Sequence, residues 1–126
     1  MKDDQQKKIR VLIVDDERLA RANLRGLLEE HQHVRVVGEA RNITEAEKIL
    51  NELPIDLVFL DIQMPGGSGF DLLERLEYRP NIIFVTAYDH YVTRALGSQA
   101  LDCLLKPVDP DRLGESLQKA LLLIDK

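Results

Sequence analysis

The chain reads as an α/β domain: a doubly wound, five-stranded parallel sheet with helices on both faces. Three observations lead there. Short apolar segments alternate five times with stretches of helical periodicity, the pattern of repeated strand–crossover–strand units. Leu57-Val58-Phe59-Leu60 is an unbroken apolar run, as in a strand buried on both faces rather than one. Polar side chains close most of these segments (Asp15-Asp16, Asp61, Thr86 and Lys106), and in a parallel sheet they all fall on the same edge.

The first strand is Ile9-Arg10-Val11-Leu12-Ile13-Val14, closed by Asp15-Asp16. Ala20, Leu24, Leu27 and Leu28 recur at i, i+4, i+7 and i+8, one apolar stripe of a helix. Val34 to Ala40 is the second strand, and the charges of Arg35 and Glu39 within it suggest a sheet edge. Thr44-Glu45-Ala46-Glu47 fits a capping box, so the second helix is expected to begin there. It turns Ala46, Ile49, Leu50 and Leu53 inward and stops at Pro54. After the Leu57–Leu60 strand, Pro65 with Gly66, Gly67 and Gly69 forces a loop. Ser68 then caps a helix carrying Phe70, Leu73 and Leu76, which ends before Pro80.

Ile82-Ile83-Phe84-Val85 is the fourth strand, closed by Thr86. A short helix from about Asp89 to Leu96 is expected to stop at Gly97. Leu101 to Leu105 is the fifth strand, ending at Lys106-Pro107. Asp109 as cap and Pro110 at the first helical position open the last helix, with Leu113, Leu117, Ala120, Leu121 and Ile124 as its stripe. Leu121-Leu122-Leu123-Ile124 is wider than one stripe. Rather than only adding to the core, part of it is expected to be exposed, as a dimer surface or a continuation towards a following domain.

At 126 residues the chain suits one domain: a polar tail over 1–8 followed by a folded unit over 9–126. The net charge of −5, with no Lys/Arg run longer than two, argues against holding DNA or a membrane electrostatically. A single cysteine, Cys103, rules out an internal disulfide framework and fits a reducing compartment. With no signal-peptide core and no apolar run of the roughly 18 residues that span a bilayer, the expected location is the cytoplasm.

Asp61 follows a buried strand, where desolvating a carboxylate is costly, so packing alone does not account for it. Asp15, Asp16 and Asp61 converging would repel one another unless a cation neutralises them. An all-oxygen cluster suits Mg²⁺, Lys106 adds a fixed positive charge, and Thr86 a hydroxyl donor. The set fits phosphoryl transfer to a carboxylate, in which positioning and charge neutralisation do most of the catalysis.

The motifs VLIVDDE, LVFLDIQMP, FVTAYD and LLKPV stand in an order and spacing that resemble the receiver domain of bacterial two-component response regulators, over essentially all of Ile9 to Ile124. FVTAYDHYVTRAL followed by ALDCLLKPV is especially similar to receivers that precede LytTR-type DNA-binding domains. The resemblance implies a flavodoxin-like sandwich with strand order 2-1-3-4-5. It implies Asp61 as phosphoacceptor, Mg²⁺ bound directly by Asp16 and Asp61, through water by Asp15, and by the backbone carbonyl of Gln63. Lys106 would pair with the phosphoryl oxygens, Thr86 would bond to one of them, and the Lys106–Pro107 bond would be cis. A sensor histidine kinase would be the phosphate donor. The product would be a signalling switch that catalyses only its own phosphorylation and dephosphorylation. Phosphorylation would bias the face of the fourth helix, fifth strand and last helix, controlling homodimerisation. Transcription would then be controlled through a C-terminal DNA-binding domain that the 126 residues do not include.

Two positions depart from the family pattern. Receivers usually carry Tyr or Phe three residues before the lysine, where this chain has Cys103, and a thiol cannot repeat the movement of a ring. Tyr88 and Tyr91, close to Thr86 in sequence, are the candidates to replace it. Gly67 stands where Met or Leu is common and is expected to loosen the loop after Asp61.

Other readings are weaker. Asp15-Asp16 could be helix caps meeting the helix dipole. Thr86 could merely end a strand, and Lys106 could be a solvated surface lysine. Gly66-Gly67-Ser68-Gly69 lacks the G-x-x-x-x-G-K of a phosphate loop and reads as turn chemistry. His31 and His33 have no companion ligands, and Cys103 reads as a small core residue. A haloacid-dehalogenase-type phosphatase would need a second Asp two residues after its nucleophile, where this chain has Gln63. A phosphate-independent interaction module is the other rival, and the presence of all five site residues argues against it.

Overall fold

The computed structural model describes residues 8–124. The expected tail, apart from Lys8, and the last two residues of the chain lie outside the described residues. Five parallel strands, β1 (Ile9–Val14), β2 (Val34–Ala40), β3 (Leu57–Asp61), β4 (Asn81–Thr86) and β5 (Asp102–Leu105), form one sheet in the order β2-β1-β3-β4-β5. The helices are α1 (Arg18–Leu28), α2 (Ile43–Glu52), α3 (Gly69–Arg75), α4 (Val92–Gly97) and α5 (Pro110–Ile124).

The unbroken apolar runs are explained by the two faces of the sheet. Leu12, Val14, Val58, Leu60, Ile82 and Phe84 point to one side and pack with residues of α2, α3 and α4. Their sequence neighbours Val11, Ile13, Leu57, Phe59, Ile83 and Val85 point to the other and meet α1 and α5. A strand with helices on both sides has no wet face, so the period-2 alternation of a half-buried strand disappears. Each such buried side chain contributes about 1.5–3 kcal/mol of transfer free energy. β2, with its Arg35 and Glu39, does lie at an edge.

Several local expectations are corrected. Helix α2 is capped by Asn42, whose side chain accepts from Glu45 N–H, rather than opened at Thr44. Glu45 in turn accepts from the N–H of Arg41, the residue before the cap, at 2.8 Å, so the cap is one-sided and no reciprocal capping box closes at either Asn42 or Thr44. In α3 the Ser68 capping box closes with Asp71, and Leu72, rather than Leu73 or Leu76, is fully buried. A 3₁₀ turn at Asp89–Tyr91 precedes α4, and Gly97 is the last helical residue instead of a left-handed stop; Gln99 takes the positive φ of 71°. β5 begins at Asp102, one residue after the expected Leu101. Asp109 does cap α5, accepting from the Arg112 N–H at 2.9 Å. Part of the wide apolar end of that helix is exposed, Leu122 at 71% and Leu123 at 53%.

Gly67 meets a steric requirement in its loop. Its φ is +146°, and a Cβ there would run into the Ile43 side chain, so glycine lets the loop lie against α2. Gly69 is needed for closeness as well: a Cβ would stand 2.5 Å from the main-chain oxygen of Asp61.

Candidate functional site

With β2 and β3 flanking β1, the chain order reverses between β1 and β3, and their carboxyl ends frame a crevice. Asp61 is the last residue of β3, and Asp15 and Asp16 follow β1 directly. Carboxylate oxygens of the three lie within 4.8 Å of one another, with Asp15 and Asp61 buried and Asp16 exposed. Among the described residues this is the one cluster of histidine, cysteine or acidic side chains close enough to hold a metal ion. The capping interpretation of Asp15-Asp16 is not realised. The N-cap of α1 is Glu17, without a side-chain capping bond, and Asp15 accepts only from the Glu17 N–H at 2.9 Å within that turn.

Lys106, just past β5, reaches into the cluster. Its Nζ is 2.7 Å from Asp15 Oδ2, 3.3 Å from Asp61 Oδ2 and 3.9 Å from Glu17 Oε1. Burial disfavours the ammonium, but its bonds to Asp15 and Asp61 and their charges hold its pKa above the ordinary lysine value. Burial, and then the charge of Asp15, push Asp61 up to about 6 against the pull of Lys106. One lysine facing three carboxylates leaves excess negative charge, and the donors are all oxygens. That set fits a hard divalent cation such as Mg²⁺.

Thr86 ends β4 one residue beyond Val85, the register partner of Asp61. It is fully buried, and its Oγ1 accepts from the Tyr88 N–H at 3.1 Å. Among the described residues no hydrogen bond joins it to the carboxylates. Gln63 lies exposed in the turn after Asp61. The Lys106–Pro107 peptide is cis. Cys103 is buried in β5, while the Tyr91 ring is half-buried against the α3–α4 side of the core and lies tilted by 38° against His90 with centroids 4.4 Å apart.

Two ion-pair networks were missed in the sequence. Arg21 Nη1 donates to the main-chain oxygen of Asp15 at 2.8 Å, and its Nε to Glu39 at 3.1 Å, while Arg25 holds the other Glu39 oxygen at 2.6 Å. The i, i+4 spacing of Arg21 and Arg25 was visible, but their shared partner on β2 was not. Asp102, 3% exposed on β5, accepts from Arg112, Ser116, Lys119 and the Cys103 N–H, tying α5 to the sheet. His31 and His33 border a groove beside α5, far in the fold from the acidic edge, as expected of surface residues.

Sheet order, crevice and acidic edge together define a doubly wound α/β domain with a polar site at its strand-order reversal, and the comparison with known sequences places it: residues 11–118 match the response regulator receiver domain, and the chain belongs to that family. Relatives include an uncharacterised response regulatory protein of Vibrio cholerae, 49% identical over 112 residues, which cover 87% of this chain and 47% of that protein. The transcriptional regulatory protein BtsR of Escherichia coli is 47% identical over 113 residues, 88% of this chain and 47% of BtsR. The chain therefore spans about half the length of the curated relatives it matches. Among solved structures, the response regulator TrrA of Thermotoga maritima, in complex with Mg²⁺-BeF, has a TM-score of 0.79 at 34% identity, covering 92% of this chain and all of that one. No described helix is long and apolar enough to cross a membrane.

Proposed function

We propose that this receiver domain is a phosphorylation switch in which Asp61 accepts a phosphoryl group from a sensor histidine kinase in the presence of Mg²⁺. The observation that carries the reading is the meeting of Asp61 with Asp15, Asp16 and Lys106 at the strand-order reversal. Asp16, Asp61, the Gln63 carbonyl and, through water, Asp15 would hold the ion, which supplies positive charge where carboxylates and phosphoryl oxygens crowd together. In the transfer, an Asp61 carboxylate oxygen bonds to phosphorus while the bond from phosphorus to the donor imidazole nitrogen breaks, the electron pair leaving with the imidazole. Lys106, already fixed beside Asp61, then pairs with a phosphoryl oxygen. Thr86 exchanges its Tyr88 N–H partner for the phosphoryl group, donating its hydroxyl proton.

That exchange releases the turn before α4 and biases the α4–β5–α5 face between two states. The output is homodimerisation and, in a longer natural protein, transcription control through a DNA-binding domain of LytTR type after α5. The name of BtsR as a transcriptional regulator and the twofold length of the relatives support this extension. The domain acts in the cytoplasm and catalyses only its own phosphorylation and dephosphorylation. Intact mass after incubation with Mg²⁺ and acetyl phosphate tests the reading. A gain of one phosphoryl group, absent in Asp61→Asn, supports the switch; no adduct favours a phosphate-independent module; rapid hydrolysis of many phosphate esters favours a phosphatase.

A further inference from the structure

Asp15 has no slack in its main chain. Its N–H donates to the Ala40 carbonyl at 3.0 Å, continuing the β1–β2 ladder past Val14, and its carbonyl accepts from Arg21 at 2.8 Å. Arg21 is mostly buried, 12% exposed at its side chain, and a guanidinium so placed needs partners for its donors. Glu39 supplies one partner at 3.1 Å and is itself held by Arg25 at 2.6 Å. Only Asp15, Asp16 and Glu17 lie between β1 and α1, so whatever fixes the Asp15 carbonyl also fixes the short loop that presents two of the three acids.

We infer that Arg21, oriented by Glu39, is a positioning residue that sets the loop at Asp15 and so the spacing of the carboxylates offered to a divalent ion. The inference rests on the ion-binding reading above and extends it from the ligands to the element that spaces them. The planar fork of arginine suits the task because two of its nitrogens serve two acceptors at once; a single ammonium serves them poorly. Arg21, Arg25 and Glu39 together leave one net positive charge, but a change of charge acts alike on two divalent ions and does not discriminate between them. The contribution is geometry, and geometry matters unequally to different ions: Mg²⁺ requires near-octahedral ligands at about 2.0–2.1 Å, while Ca²⁺ tolerates irregular ones at about 2.3–2.6 Å.

Ion selectivity is therefore the readout that separates positioning from plain stability. Calorimetric titration of the 126-residue chain with Mg²⁺ and, separately, Ca²⁺ should be run on the wild type, Arg21→Gln, Arg21→Lys and Glu39→Gln, with melts in EDTA reporting the fold. In Arg21→Gln the Mg²⁺ affinity is expected to fall about tenfold or more, the usual effect of losing a group that orients a ligand, while Ca²⁺ affinity falls much less. Arg21→Lys should resemble Arg21→Gln, and Glu39→Gln should lie between it and the wild type. If Arg21→Gln fails to fold, Arg21→Lys and Glu39→Gln carry the comparison. Equal losses for both ions, or unchanged Mg²⁺ binding in the folded variants, overturn the inference and leave the site reading intact. A wild type that binds neither ion overturns the site reading and the inference with it.

Discussion

The ammonium of Lys106 lies nearer to Asp15, at 2.7 Å, than to Asp61, at 3.3 Å, so one cation is shared between the carboxylate expected to react and a neighbour. Lys106 lowers the Asp61 pKa by charge and by hydrogen bond, yet burial and Asp15 still hold it at about 6. Lys106→Met removes the opposing influence. Carboxyl ¹³C titration in EDTA should then place Asp61 above about 6, with phosphorylation by acetyl phosphate sharply slowed.

Asp61 itself weakens the fold. A carboxyl whose folded pKa is raised contributes stability below its unfolded pKa, near 4, and loses it as pH rises through about 6. The interval from 3.8 to about 6 corresponds to about 3 kcal/mol at full ionisation. Asp61→Asn, which forgoes the Lys106 pairing, should gain about 1–3 kcal/mol in urea unfolding at pH 8 in EDTA and little at pH 4. Saturating Mg²⁺ should stabilise the wild type far more than this variant.

Asp102 has the opposite sign. Despite burial, its bonds to Arg112, Ser116, the Cys103 N–H and Lys119 hold its carboxyl far below the ordinary range. Its stabilisation is complete above the unfolded pKa near 4 and is lost as pH falls towards the depressed folded value. Arg112 and Lys119 are 40% and 54% exposed at their side chains, so the loss in Asp102→Asn should be about 2–3 kcal/mol at pH 7, less than for a fully buried pair. Urea titrations from pH 5 to pH 2 should show the gap to the wild type narrowing.

Under the proposed switch, with Cys103 buried in β5 and Tyr88 exposed, Tyr91 is the candidate ring to respond to Thr86. It is half-buried, 6.4 Å from the Phe70 ring and three residues past the amide that Thr86 now holds. Tyr91→Ala should leave phosphorylation of Asp61 near the wild-type rate while abolishing any phosphorylation-dependent dimer in size-exclusion light scattering. A dimer that forms unchanged would remove Tyr91 from the switch.

The fold was legible because helices on both faces leave a recognisable mark, the unbroken apolar runs at Leu57–Leu60 and Ile82–Val85. The acidic edge was legible because parallel strands bring Asp15, Asp61, Thr86 and Lys106 to one rim whatever the loop details. Caps and stops were less so. Asn42 and Thr44 are both competent N-caps, and only the path of the chain out of β2 chooses between them. The steric reason for Gly67 was not legible because the neighbour a Cβ would meet, Ile43, is 24 positions away in sequence. Asp102 and Arg21 were missed for the same reason: an isolated charge in a strand or helix says nothing of the partner that will satisfy it.

Reduction of an aspartyl phosphate with borohydride converts the modified side chain to homoserine and marks its position. The protein treated with Mg²⁺ and acetyl phosphate, reduced, digested and sequenced by mass spectrometry should carry homoserine at Asp61 and at no other acid. Conversion at Asp15 or Asp16 instead, or at none of the three while the protein remains folded and Mg²⁺-bound, would contradict the assignment of Asp61 as the phosphoacceptor.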